Sequence, residues 1–209
     1  MEKICKKPAK EIITGSSVSI VEQQQWVSRA GKKLFDALKS FEVEVEGKMA
    51  LDVGSSTGGF TQVLLYEGAE KITSVDVGTD QLHSSLRNVA RISLLEQTDI
   101  RDISSRLKDS FDLVVVDVAF ISLSKIIKDI EIVARTGGDI ILLYKPQFEV
   151  GKQNISKNGV VKKEIDTQKT LGRFLNSLEK SGLCLVKCRK AYITGKKGNQ
   201  EIFVHLKKC

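Results

Sequence analysis

The chain has 209 residues, 41% hydrophobic and 28% charged, with 33 Lys/Arg against 26 Asp/Glu and a net charge of +7, a size and composition that suit one α/β domain with or without a short appendage. No run approaches the roughly 18 apolar residues of a membrane span, and the basic start MEKICKKPAK has no apolar stretch behind it, so it does not read as a secretory signal. Cys5, Cys184, Cys188 and Cys209 form no CxxC pair and only two histidines could join them, which argues against structural zinc and suits a reduced, cytoplasmic protein.

Residues 1–26 are weakly patterned, with one strand-like run, SVSIVE. VSRAGKKLFDALKSF carries apolar residues at 34, 35, 38 and 41, a helical spacing with Ser28 at its N-cap. KMALDV reads as a buried strand, and FTQVLLYEG as a helix stopped by Gly68. KITSVDVG is a second strand, QLHSSLRN a helix, and RISLLEQTDI carries a third strand. FDLVVVDV, uncharged between its aspartates, is a fourth; LSKIIKDIEIVAR is a helix and GGDIILLYK a fifth strand. A polar loop at 149–163 precedes the helix EIDTQKTLGRFLNSLEKSG. CLVKCRKAYIT and EIFVHLKK are two strands joined by GKKGN, with Cys184 and Cys188 expected on one face of a buried strand as small apolar residues. Strands alternating with helices predict a mostly parallel sheet covered on both faces. The short last connection predicts an antiparallel pair at its end.

The stretch LDVGSSTGGFT places a glycine-rich loop between the first strand and the helix after it, where a ligand can approach the backbone. A P-loop would need GxxxxGK[ST], and this loop has no lysine; a dinucleotide loop would need GxGxxG, and Gly54, Ser56 and Gly58 do not fit it. The remaining pattern, an acid followed by spaced small residues, is that of S-adenosylmethionine sites. There Asp52 holds the ammonium of the methionine part and Asp76, ending the second strand, accepts the ribose hydroxyls. Asp99, after the third strand, accepts from the adenine amino group. The expected cofactor residues are therefore Asp52, Gly54, Ser55, Ser56, Gly58, Gly59, Phe60, Asp76, Val77, Asp99, Ile100 and Asp117. Residues 185–208 hold seven Lys/Arg against one acid, Glu201, a patch that favours a polyanion such as nucleic acid.

Four charged residues follow strands or open helices near the expected ligand edge: Lys33, Asp117, Lys145 and Glu201. With VSRAGKKL, LDVGSSTGGFT, DVAFISL, KPQFEVG and GNQE, the chain resembles the TlyA/hemolysin A family over about residues 24–207. The catalytic domain of that family is similar to FtsJ-type 2′-O-ribose RNA methyltransferases. The resemblance implies a Rossmann-like class I S-adenosylmethionine-dependent methyltransferase with seven strands and an antiparallel last strand. It also implies a Lys-Asp-Lys-Glu tetrad, supplied here by Lys33, Asp117, Lys145 and Glu201, and action on cytidine 2′-hydroxyls in ribosomal RNA or ribosomal subunits. No metal is required.

Family members usually begin with an S4-type RNA-binding domain. Only its closing segment is expected here, at residues 1–26 within PAKEIITGSSVSIVEQQQW, followed by the methyltransferase domain at 27–209. In the expected chemistry a ribose hydroxyl loses its proton as it attacks, with Lys145 as base, Lys33 near it, and the two carboxylates orienting the lysines. The alternatives are a hemolysin-like membrane-active protein, for which no long amphipathic lysine-faced helix speaks, and a non-catalytic RNA-binding module, which would have no need of the tetrad.

Overall fold

The structure, a computed structural model, describes residues 25–209. The SVSIVE run and nearly all of the expected S4 remnant lie outside the described residues. Seven strands form one sheet in the order β3-β2-β1-β4-β5-β7-β6: β1 Met49–Val53, β2 Lys71–Val75, β3 Ile92–Leu95, β4 Phe111–Val116, β5 Ala134–Tyr144, β6 Leu183–Lys190 and β7 Ile202–Lys208. The first five run parallel, and β7 lies antiparallel to both β5 and β6. This is the sheet expected for a Rossmann-like methyltransferase.

Side chains alternate across a strand, so each buried run feeds two cores. Ala50, Leu113, Val115, Ile141 and Leu143 pack under α1 (Arg29–Phe41) and α2 (Gly59–Tyr66). Leu51, Val53, Val114, Val116, Ile140 and Leu142 pack under α5 (Ile127–Val133) and α6 (Glu164–Leu178). Covering both faces explains the near-continuous apolar sequence of β4 and β5. On α1 the buried stripe is Leu34, Ala37, Leu38 and Phe41; of the four apolar positions expected, Phe35 is only half-buried, and Ala37 takes its place in the core. Ser28 holds the N-cap position, but its hydroxyl makes no capping bond. It lies instead against Gly59, where any Cβ would collide with it. A Cβ on Gly31 would stand 2.9 Å from the Gly59 carbonyl oxygen. Two glycines thus let the starts of α1 and α2 touch, and that contact fixes Lys33, one half-turn further along α1.

Three local expectations change. QLHSSLRN forms only the single turn α3, Ser84–Arg87. The helix after β4 stops at Val133, because Ala134 already pairs with Phe111, and a register shift between Phe111 and Leu113 absorbs the glycine pair that follows. Because β7 inserts beside β5, β6 becomes the outer strand. Cys184 and Cys188 are therefore exposed rather than buried, and Cys184 is joined to Cys209 in a disulfide where four reduced thiols were expected.

Below the sheet, at the edge opposite the glycine loop, Asp139 ties three segments together. Its carboxylate receives Lys48 Nζ at 2.9 Å and His205 Nε2 at 2.9 Å, and the imidazole stacks on Phe41 at 5.5 Å. Burial works against the charge on Asp139, but the bonds from His205 and Lys48 outweigh it and hold the carboxyl down at about 2.

Candidate active site

The strands' carboxyl ends gather the expected residues. In the parallel register Val53 pairs with both Val75 and Val116, so Gly54, Asp76 and Asp117 leave the sheet side by side. Gly54 has φ +82°, and a Cβ on it would lie 2.9 Å from the Asp117 carbonyl oxygen. Only glycine lets the loop pass this close to the end of β4. In the antiparallel pair, Tyr144 sits opposite Ile202, which brings Lys145 and Glu201 to the same rim.

Asp52 is fully buried. Its Oδ2 accepts from Thr61 Oγ1 at 2.6 Å, and Thr61 is itself bonded to Ser74 Oγ at 2.8 Å. Its Oδ1 is buried with no partner. Burial pushes the Asp52 carboxyl up to about 7; the Thr61 hydrogen bond opposes this, and the charges of Asp117 and Asp76 add to it. Ser55 Oγ, also buried, has no partner either. A free acceptor on an acid next to a free hydroxyl suits a ligand that carries both an ammonium and a carboxylate, as the methionine part of S-adenosylmethionine does.

Asp76 accepts from the N–H of Ser56 at 2.8 Å and of Gly78 at 2.7 Å, and Val77 beside it is 70% exposed. A carboxylate has lone pairs to spare for a diol after two such bonds, and an exposed Val suits the face of a planar ring. Gly58 starts the turn into α2. Phe60 and Ile100, expected at the cofactor, place their side chains in the two cores at 2% and 3% exposure. Asp99 caps α4 (Ile100–Ile103) and receives Arg101 Nε at 3.0 Å and Nη2 at 2.6 Å. The Arg101 hydrogen bond holds its carboxyl below the usual range, so an adenine amino group would share Asp99 with a guanidinium.

The four tetrad residues resolve into two ion pairs. Lys33 Nζ donates to Glu201 Oε2 at 2.6 Å, both side chains under a tenth exposed. Lys145 Nζ stands 2.7 Å from Asp117 Oδ1. Burial raises the Asp117 carboxyl, Lys145 opposes that, and the charges of Glu201 and Lys33 are near enough to act on it as well. Sequence reasoning put Lys33 next to Lys145; its bonded partner is Glu201, brought from 168 positions away. Among the described residues no three His, Cys, Asp or Glu side chains cluster as metal ligands, and no helix is long and apolar enough to cross a membrane.

Sequence reasoning passed over Phe120. It is 92% exposed with φ +65°, and its ring meets Phe148 at 5.3 Å. Three residues past Asp117, this aromatic stands at the mouth of the site. The signal was an aromatic in the loop just after a strand-end acid. Thr61 and Ser74, which brace Asp52, were also passed over, because a hydroxyl inside an apolar run carries no mark in sequence.

Residues 26–208 match the family model described as FtsJ-like methyltransferase. The chain belongs to that family. Among proteins similar to this FtsJ-like chain is the 23S rRNA (cytidine-2′-O)-methyltransferase TlyA of Campylobacter jejuni, 45% identical over 86% of this chain and 70% of its own. The 16S/23S rRNA (cytidine-2′-O)-methyltransferase TlyA of Mycobacterium tuberculosis is 37% identical over 96% and 76%. A Lactococcus lactis protein solved as a candidate hemolysin superposes with a TM-score of 0.85 at 36% identity, covering 90% of each chain. The enzyme class and the S-adenosylmethionine dependence expected from the loop and its acids accord with membership of the FtsJ-like family.

Proposed function

We propose that this protein methylates the 2′-hydroxyl of a cytidine in ribosomal RNA, acting on RNA or subunits in the cytoplasm. The observation that carries this reading is the pair of lysine–carboxylate contacts, Lys33–Glu201 and Lys145–Asp117, gathered on one rim beside the glycine loop. Burying a charged pair costs desolvation that packed apolar residues would avoid. Two such pairs at a ligand edge fit a catalytic task better than a binding module. The names of the relatives from C. jejuni and M. tuberculosis support cytidine and ribosomal RNA.

When bound, S-adenosylmethionine supplies the electrophilic methyl group. Asp52 and Ser55 would hold its methionine end, Asp76 its ribose, and Val77 and Asp99 its base. Lys145, as the free amine, takes the proton of the attacking hydroxyl, and Asp117 holds its nitrogen in place and stabilises the ammonium that forms. Lys33, braced by Glu201, steadies the charge that develops on the ribose oxygen. Phe120 offers a bare aromatic face on which the target base can stack. The remaining effect is placement of the hydroxyl against the methyl group.

The test is transfer of labelled methyl to ribosomal subunits from cells lacking the protein, followed by mapping of 2′-O-methylated positions. The expected product is a 2′-O-methylcytidine. Label found on a base, or no transfer together with leakage of liposomes at the same protein concentration, would replace this reading with another methylase or with a membrane-active protein.

A further inference from the structure

We propose that the segments 151–163 and 195–198 form one preassembled lip that grips the phosphate backbone of RNA, with Asn199 as the joint between them. This rests on the reading of the site as an RNA methyltransferase and adds where the RNA is held.

Asn199 is 4% exposed. Its Oδ1 accepts from the Val161 N–H at 3.0 Å, and its Nδ2 donates to the Gly159 carbonyl at 2.9 Å. Its own carbonyl accepts from the Gly195 N–H at 2.8 Å and closes the 195–199 turn. One side chain therefore joins two loops that lie 38 positions apart. Within the first loop, Ser156 N–H donates to the Val160 carbonyl and Ile155 bridges Val161, which makes a small closed hairpin. The second loop backs onto the tetrad: a Cβ on Gly195 would stand 2.6 Å from Glu201 Oε1. Arg29 Nη2 donates to the Thr194 carbonyl at 2.8 Å and fastens the turn to the start of α1. The lip is thus registered to the Lys33–Glu201 pair.

Its charge is of one sign. Lys152, Lys157, Lys162, Lys163, Lys196 and Lys197 are all exposed, and neither segment contains an acid. The bordering carboxylates are committed elsewhere: Glu149 to Ser122 and Leu123, Glu164 to Lys190, and Glu201 to Lys33. The second loop lays a cation on the first, since a Cβ on Gly159 would lie 2.9 Å from Lys197 Nζ. Like charges held together repel, and a string of phosphates relieves that repulsion while releasing counterions. Such contacts position a nucleic acid without reading its sequence. Tyr192, 72% exposed just before the second loop, adds an aromatic face.

The experiment measures binding of the full chain to labelled, deproteinised bacterial ribosomal RNA across a salt series, with S-adenosylmethionine affinity followed by calorimetry. A variant carrying Lys157→Ala, Lys163→Ala, Lys196→Ala and Lys197→Ala should bind RNA on the order of 10- to 100-fold more weakly at moderate salt. Its slope of log affinity against log salt should be shallower by about 3, at 0.7–0.9 per lost phosphate contact. Its methyl-donor affinity should not change. Asn199→Ala keeps every charge and loses only the prearrangement, so its affinity should fall several-fold with the slope unchanged. Unaltered slope and affinity in the lysine variant, in a protein whose wild type does methylate ribosomal RNA, would overturn the lip alone. Failure of the wild type to bind or methylate RNA would overturn the functional reading and the lip with it. Binding to phosphatidylserine vesicles at a salt concentration that abolishes RNA binding would overturn the choice of partner.

Discussion

Lys33 and Glu201 meet at 2.6 Å in the interior although α1 and β7 lie at opposite ends of the described chain. Removing one partner strands the other as a buried charge, which costs about 3–5 kcal/mol. Glu201→Leu or Lys33→Met alone should therefore unfold at clearly lower urea. The double variant should recover much of that stability and remain inactive in methyl transfer. Urea melts alongside single-turnover assays separate the two effects, and recovery of activity in the double variant would remove the pair from the mechanism.

Lys145 should be separable from donor binding, although its loss leaves Asp117 without its cation and lowers stability. Lys145→Ala should keep S-adenosylmethionine affinity, because the donor's contacts come from the first three strand ends, and should lose about 10²–10⁴-fold in transfer. Lys145→Arg should fail too, since a guanidinium stays protonated. Near-normal single-turnover transfer by Lys145→Arg would leave positioning, not proton removal, as the role of this residue.

Asp52 makes a pH signature. The folded carboxyl titrates near 7, the unfolded one near 4. Between those values the folded state holds the proton more tightly, so stability without the donor should fall as pH rises, at up to about 1.4 kcal/mol per pH unit. Affinity for a ligand bearing an ammonium should move the other way and rise through pH 7. Asp52→Asn should flatten both profiles, which unfolding and calorimetry at several pH values will show.

Asp139 gives the opposite sign at lower pH. Its folded carboxyl titrates near 2, so its contribution is present above about pH 4 and is lost as pH falls through 2, a total of about 2 kcal/mol. Asp139→Asn should lower stability at neutral pH and flatten the acid limb below pH 4. An unchanged acid limb would mean that the Lys48 and His205 contacts do not stabilise the fold.

Phe120 contributes little to the core at 92% exposure. Phe120→Ala should leave the melting temperature and donor affinity unchanged and weaken productive RNA engagement by about 1–3 kcal/mol, the scale of one base–aromatic stack. Phe120→Trp should restore it. Equal transfer rates for Phe120→Ala and wild type would refute stacking.

What sequence displays is what neighbours in the chain decide. The apolar runs of β1, β4 and β5 and the glycine loop are local, so the sheet and the strand ends bearing Asp52, Asp76, Asp117 and Lys145 were readable. Partnership across the chain was not. Nothing near Lys33 announces Glu201, and nothing in CLVKC announces that β7 takes the inner place and leaves the cysteines of β6 on the surface. Phe60 and Ile100 adjoin loop residues, but period decides where a side chain points, and theirs point into the cores, which leaves the backbone of each as the part open to a donor. Asp99 was readable as a strand-end acid, whereas its occupation by Arg101 depends on a rotamer.

The inner place of β7 also ties activity to the docking of the β6–β7 hairpin. Until the β6–β7 hairpin docks, β5 presents an open edge of apolar strand, a site where unfinished molecules can pair with one another. That docking joins residues far apart in sequence, the slow kind of contact to make. The same event delivers Glu201 to Lys33. A molecule stalled before it would retain the glycine loop and most of the donor site, yet Lys33 would lack its Glu201 partner, so immature copies would bind the donor without spending it on RNA.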